Sequence, residues 1–149
     1  MRIALFQPDI PGNVGTILRL AACFGVAVDI IEPCGFPFAD RALKRAGMDY
    51  AAQAEVQRHQ DWDAFRTAAK GRLVLLSTKG KLTLDRGDFQ PCDTLVMGSE
   101  SAGAPDYVHR HASQILRIPL HDGFRSLNVA VAAGIALHEA LRQTGELPR

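Results

Sequence analysis

The sequence predicts an α/β fold, a parallel sheet covered by helices on both faces. Apolar runs of four to six residues (RIALF, VAVDII, RLVLLS, TLVM, QILRI) alternate with segments of helical spacing. These runs are largely apolar rather than alternating apolar with polar, the pattern of strands buried on both faces. The chain has 149 residues, 47 % hydrophobic and 22 % charged, which suits one globular domain over 1–149. No internal repeat, low-complexity tract or Ser/Gly-rich linker divides it.

Residues 2–6 read as a strand that ends at Gln7-Pro8, and 9–15, DIPGNVG, carry loop chemistry. From Val14 to Phe24 the apolar positions Val14, Ile17, Leu18, Ala21 and Ala22 follow helical spacing, and Gly25 is a natural stop. Val26 to Ile31 is a β-branched run, hence a strand. The segment 32–38 holds two prolines and reads as a loop, and Asp40 is suited to cap a helix running to Ala46. A short helix is expected over 61–69, then strands over 72–77 and 94–97. A short helix is expected after Pro105, a fifth strand over 114–118, and the longest helix over 126–142, capped by Ser126 with Asn128 in its first turn. Parallel sheets bind ligands in the loops beyond the carboxyl ends of their strands. That directs attention to 7–13, 77–82, 98–105 and 119–126, where the unusual residues collect.

Lys plus Arg is 17 and Asp plus Glu is 16, a formal charge of +1. This excludes a polybasic tail and an acidic disordered chain, while a local basic patch remains compatible with nucleic-acid binding. Cys23, Cys34 and Cys92 are too few and scattered for a disulfide framework or a zinc site and fit a reducing compartment. No apolar run reaches the roughly 18–20 residues of a membrane span, and the N-terminus lacks signal-peptide features. The expectation is a cytoplasmic protein without membrane contact.

Three segments carry polar residues at ligand-facing places. In PGNVGTILRL, Asn13 lies near a helix start with Arg19 six residues on. The bland reading is a cap and a solvated arginine, and G-x-x-G alone is no dinucleotide fingerprint. In LVMGSESAGAP a strand runs into Gly98, Ser99, Glu100, Ser101 and Gly103. The glycines permit a sharp turn and close approach of a ligand. A serine esterase elbow is the rival reading, with His121, Asp122 or His138 as partners, but Ser99 replaces its first glycine. In RIPLHDGFRSLN, Arg125, Ser126 and Asn128 bring donors to a helix N-terminus. Arg41, Lys44 and Arg45 share a helix face, either solvated or contacting phosphate, and Lys79 and Lys81 flank Gly80. His59, His109 and His111 have no metal-ligand spacing, and Trp62 reads as packing.

Taken together, the three segments resemble the motifs of the SpoU-type branch of the SPOUT methyltransferases. The resemblance rests on N-x-x-x-x-x-R at Asn13 and Arg19, on G-x-E-x-x-G-x-P at Gly98, Glu100, Gly103 and Pro105, and on I-P…S-x-N at Ile118, Pro119, Ser126 and Asn128. It spans nearly the whole chain. It is most similar to the small subfamily made of the catalytic domain alone, supported by FQPDIPGN, IIEPCGF, RAGMDY and STKG. Ala102 stands where an arginine is common, and NVAVAAG where the subfamily more often has polar residues.

The resemblance implies a C-terminal deep trefoil knot, a rare exception to unknotted topology. It implies a homodimer and S-adenosylmethionine-dependent methylation of the ribose 2′-hydroxyl of the wobble nucleotide, position 34, cytidine or uridine, in the tRNA anticodon arm. Arg19, Asn13, Glu100, Ser126 and Asn128 are then the catalytic candidates. The cofactor is expected against Leu76, Ser77, Thr78, Met97, Gly98, Gly103, Ile118, Pro119, Leu120, Ser126 and Leu127, and RNA against Arg41, Lys44, Arg45 and Arg125. No metal is required, because the methyl donor is already activated. The small residues Ala132, Ala133, Gly134 and Ala136 are the expected dimer surface. Methylation of ribosomal RNA or of another tRNA position, and a non-catalytic RNA-binding module, are the alternatives.

Overall fold

The computed structural model describes residues 1–37, 41 and 53–149. Its strands are β1 (Arg2–Phe6), β2 (Ala27–Ile31), β3 (Val56–His59), β4 (Leu73–Leu76), β5 (Leu82–Thr83), β6 (Thr94–Met97) and β7 (Gln114–Arg117). They form one sheet in the order β3-β2-β1-β6-β4-β7-β5, and every pairing between these strands is parallel. The described helices are α1 (Pro11–Phe24), α2 (Trp62–Ala68), α3 (Asp106–His111) and α4 (Val129–Thr144).

Side chains alternate along each strand, so the sheet has two apolar faces. On one, Ile3, Leu5, Val28, Ile30, Leu95 and Met97 pack with Ile17, Leu18 and Ala21 of α1 and Ala133, Leu137 and Leu141 of α4. On the other, Ala4, Phe6, Ile31, Leu75 and Val96 meet Trp62 and Phe65 of α2 and Val108 of α3. The expectation of helices on both faces therefore holds. At the β1–β2–β3 edge, buried Asp29 accepts two hydrogen bonds from the Arg2 guanidinium, at 2.7 and 3.1 Å, and lies 2.7 Å from His59 Nε2. The hydrogen bond to Asp29 raises the pKa of Arg2 above its ordinary value.

Several boundaries differ from expectation. Helix α1 begins at Pro11, three residues before the expected start, because proline suits a first helical position whose N–H has no intrahelical partner. Asn13 is consequently inside the first turn, the cap position is Ile10, and no side chain caps the helix. Gly25 ends α1 in the left-handed conformation, as expected, with φ of 67°. Asn128, not Ser126, caps α4: its side-chain oxygen accepts from the N–H groups of Ala130 and Val131. Strands β3 and β5 were not anticipated. The helix expected over 40–46 falls outside the described residues except for Arg41, which is exposed.

Strands β4 and β5 are consecutive in sequence, yet β7 lies between them. The connector 77–81 crosses β7 at Gly80, where a Cβ would sit 2.7 Å from the Leu116 carbonyl carbon and 2.8 Å from the Arg117 nitrogen. Only glycine allows two backbones to pass so closely.

Candidate active site

A cavity of about 740 Å³ opens at the carboxyl ends of β4, β6 and β7. That volume is within the ~300–1,000 Å³ usual for small-molecule sites. Its walls are Leu76, Ser77 and Thr78 after β4, Met97, Gly98, Glu100 and Gly103 after β6, and Ile118, Leu120, Arg125, Ser126, Leu127 and Asn128 after β7. Asn13 from α1 completes the rim. Fourteen residues expected at the site thus meet in one place.

Three sequence segments are joined there by side-chain hydrogen bonds. Glu100 Oε1 accepts from Asn13 Nδ2 at 3.2 Å, and Asn13 Oδ1 accepts from Asn128 Nδ2 at 3.0 Å. Asn128 Oδ1 in turn accepts from the N–H groups of Ala130 at 2.8 Å and Val131 at 3.3 Å. The direction of this chain is fixed at both ends. A carboxylate can only accept, and a helix N-terminus can only donate, so each asparagine amide has one usable orientation.

A second set of bonds holds the Glu100 loop to the end of β1. Glu100 Oε2 accepts from the Asp9 N–H at 2.7 Å. In return Asp9 Oδ2 accepts the Ser101 N–H at 3.0 Å and the Ser101 hydroxyl. The Ser101 hydroxyl, and then its N–H, lower the Asp9 pKa below its ordinary value. The loop closes on itself through paired Ser99 and Gly103 backbones, with Gly103 at φ of 66°. At Gly98 a Cβ would lie 2.7 Å from the Ala104 nitrogen and from the Gly103 carbonyl carbon. The glycine is therefore demanded by the loop's own backbone, and close ligand approach is not its only explanation. Nearby, burial pushes the Cys34 thiol up to about 11, so it is a poor nucleophile at neutral pH.

Three of the expected residues that are described, Arg19, Pro119 and Arg41, do not line the cavity. Arg19 is exposed on α1, two turns beyond Asn13. Pro119 lines a separate hollow with Leu84, Ile135 and His138. Lys44 and Arg45 lie outside the described residues. The esterase reading loses its nucleophile, because Ser101 gives its hydroxyl to Asp9 rather than to a histidine. Of the residues expected at a dimer surface, Ala132 and Gly134 are half-buried. Ala133 and Ala136 are buried in the core at 1 % and 0 % exposure, and the outward face of α4 shows Val131 and Ile135 at 52 % and 42 %.

Sequence reasoning missed Asp9, Arg117 and His109 as site residues. Arg117 and His109 line the cavity, as does Lys79. In the sequence Asp9 reads only as part of a loop, and His109 shows only that it lacks metal-ligand spacing. Among the described residues no group of three His, Cys, Asp or Glu side chains is arranged to hold a metal ion, and no helix is long and apolar enough to cross a membrane.

A fold of this kind with these joined loops defines an RNA methyltransferase of the SPOUT class, and residues 1–138 match the SpoU rRNA methylase family, to which the chain belongs. It is 53 % identical to a tRNA (cytidine(34)-2′-O)-methyltransferase of Beijerinckia indica, over 99 % of this chain and 94 % of the relative. It superposes with a TM-score of 0.90, at 38 % identity, on a structure concerning 2-OH methylation of C/U34 on tRNA, over 95 % of this chain and 94 % of the other. An AdoMet-bound rRNA methyltransferase from Sinorhizobium meliloti superposes with a TM-score of 0.83 at 32 % identity, over 95 % of this chain and 55 % of the other.

Proposed function

We propose that this protein is a tRNA 2′-O-methyltransferase that modifies the wobble nucleotide, cytidine or uridine 34, using S-adenosylmethionine. The observation that carries the reading is the hydrogen-bond chain from Glu100 through Asn13 and Asn128 to the start of α4, at the rim of a ligand-sized cavity. The relatives that match over nearly their whole length are named for this reaction.

The cavity suits the cofactor. Its apolar wall residues Leu76, Met97 and Leu120 lie beside polar Ser77, Thr78 and Ser126, matching a molecule with an adenosine part and a charged amino-acid part. Gly98, Gly103, Ile118 and Leu127 complete the set that would hold it. When bound, it supplies an electrophilic methyl group on a sulfonium sulfur. Both carboxylate oxygens of Glu100 are engaged, by the Asp9 N–H and by Asn13, so Glu100 positions its neighbours rather than taking a proton. Asn13 and Asn128 set the spatial relation of α1 to α4 around the cavity, and Ser126 adds a hydroxyl beside them. Arg19 serves the acceptor: as a permanent cation it binds a phosphate and stabilises negative charge developing on the ribose oxygen. Arg41, Lys44, Arg45 and Arg125 supply further phosphate contacts.

Two further features belong to this reading: a knotted C-terminal region, and a homodimer that brings basic residues of one subunit beside the cavity of the other. The protein acts in the cytoplasm, where its substrate is. The test is calorimetry with S-adenosylmethionine, followed by methyl transfer to bulk tRNA. Arg19→Ala is expected to keep cofactor affinity within about twofold and lose most methyl transfer. Turnover near wild type, or cofactor binding lost together with activity, contradicts the role of Arg19.

A further inference from the structure

The turn after β4 is held by one side chain that the mechanism above does not use. His109, on α3, places Nδ1 3.1 Å from the Pro105 carbonyl oxygen. A carbonyl only accepts, so Nδ1 carries the proton, and in the neutral ring Nε2 presents a lone pair. Ser77 Oγ lies 3.1 Å from that Nε2, so the serine hydroxyl donates to it. The same Oγ accepts the Lys79 N–H at 3.2 Å. The Ser77 backbone is also fully engaged, its N–H to the Leu116 carbonyl at 2.9 Å and its carbonyl to the Gly80 N–H at 3.0 Å. Every polar group of Ser77 thus has a partner, and His109 is the only side chain among them.

We propose that His109 is a positioning residue for the methyl donor. It acts through Ser77, fixing the turn 77–80 that forms one wall of the cavity. The inference rests on the reading of that cavity as the S-adenosylmethionine site. Without His109 the Ser77 hydroxyl loses its acceptor and turns elsewhere, and its hydrogen bond with the Lys79 N–H is disturbed. The turn then samples conformations that must be reordered on binding, which weakens affinity.

The experiment is titration calorimetry with S-adenosylmethionine on the wild type, His109→Ala, His109→Gln, Ser77→Ala and the double alanine variant, with thermal melts alongside. His109→Ala is expected to weaken binding about five- to tenfold, about 1–1.4 kcal/mol at ~1.4 kcal/mol per decade. The loss should fall on KM for S-adenosylmethionine far more than on kcat. His109→Gln, whose Oε1 accepts where Nε2 did, should restore affinity to within about twofold. The double variant should bind no worse than either single one, because both remove the same bond. Should His109→Ala fold poorly, the Gln variant and Ser77→Ala decide the matter. Unchanged affinity in His109→Ala or Ser77→Ala, no rescue by Gln, or additive losses overturn the proposal. A wild type that binds no S-adenosylmethionine overturns the functional reading along with it, whereas binding by wild type and variant alike overturns this inference alone.

Discussion

Changing Glu100 to Gln replaces a single atom and reverses what one end of the hydrogen-bond chain can do. Glu100 now accepts twice, from the Asp9 N–H at 2.7 Å and from Asn13 at 3.2 Å. Glutamine has one accepting oxygen, so its amide must point at one of these donors. If it points at Asn13, relief requires the Asn13 amide to flip, which sets its nitrogen against Asn128 Nδ2, now 3.0 Å from Asn13 Oδ1. Asn128 would then have to flip as well and abandon the Ala130 and Val131 N–H groups it caps. No reorientation satisfies all the donors. A hydrogen bond to a charged group contributes about 1.5–3 kcal/mol. Glu100 is only half-buried and Asn128 exposed, so solvent replaces part of what is lost and the effect belongs near ~1.5 kcal/mol. For a chain of this size that lowers Tm by about 3–6 °C. Cofactor affinity or methyl transfer should drop about tenfold, at ~1.4 kcal/mol per decade. Differential scanning calorimetry and a methyl-transfer assay read both quantities. A Tm within about 1 °C and activity within about twofold of wild type would refute the argument that the chain has a fixed direction.

Two other predictions concern the clamp and the assembly. The Ser101 bonds depress the Asp9 pKa, so their stabilisation is complete above the ordinary value of 3.8 and is lost as pH falls through the lower folded value. Melting curves between about pH 5 and 2 should fall less steeply for Ser101→Ala than for wild type, and identical slopes would show that the clamp contributes nothing. Ile135 is 42 % exposed on the outward face of α4, so Ile135→Asp should leave the subunit folded while dissociating a dimer formed there. Light scattering at micromolar concentration checks this, and a wild-type monomer or an unaltered dimer would contradict that surface.

The strands with unbroken apolar runs were legible because a parallel sheet buried on both faces needs nothing else from them. Strand β3 was not, since in VQRH only His59 is buried, Val56 packs half-buried against the core, and Gln57 and Arg58 are exposed. Strand β5 is a two-residue pairing, Leu82–Thr83, created by the arrival of β7 rather than by local propensity. The start of α1 was misplaced because Pro11, Gly12 and Asn13 carry turn chemistry when read locally, while the structure uses the proline as a first helical residue. At the site, the motif residues Asn13, Glu100 and Asn128 were recognisable by type and spacing. Their bonds span 87 and 115 residues of sequence and became visible only once the sheet brought the loops together. Asp9 and His109 were passed over for the same reason, since each acts through a distant partner, Ser101 and Ser77.

The position and chemistry of the transferred methyl group test the proposed function most directly. Unmodified tRNA incubated with the purified protein and S-adenosylmethionine, then digested with a nuclease and sequenced by mass spectrometry, locates it to one nucleotide. A single added methyl is expected on the ribose of cytidine or uridine 34, which makes the following phosphodiester resistant to alkali. A methyl on a base, on a ribose elsewhere in the tRNA, or only on ribosomal RNA would contradict it.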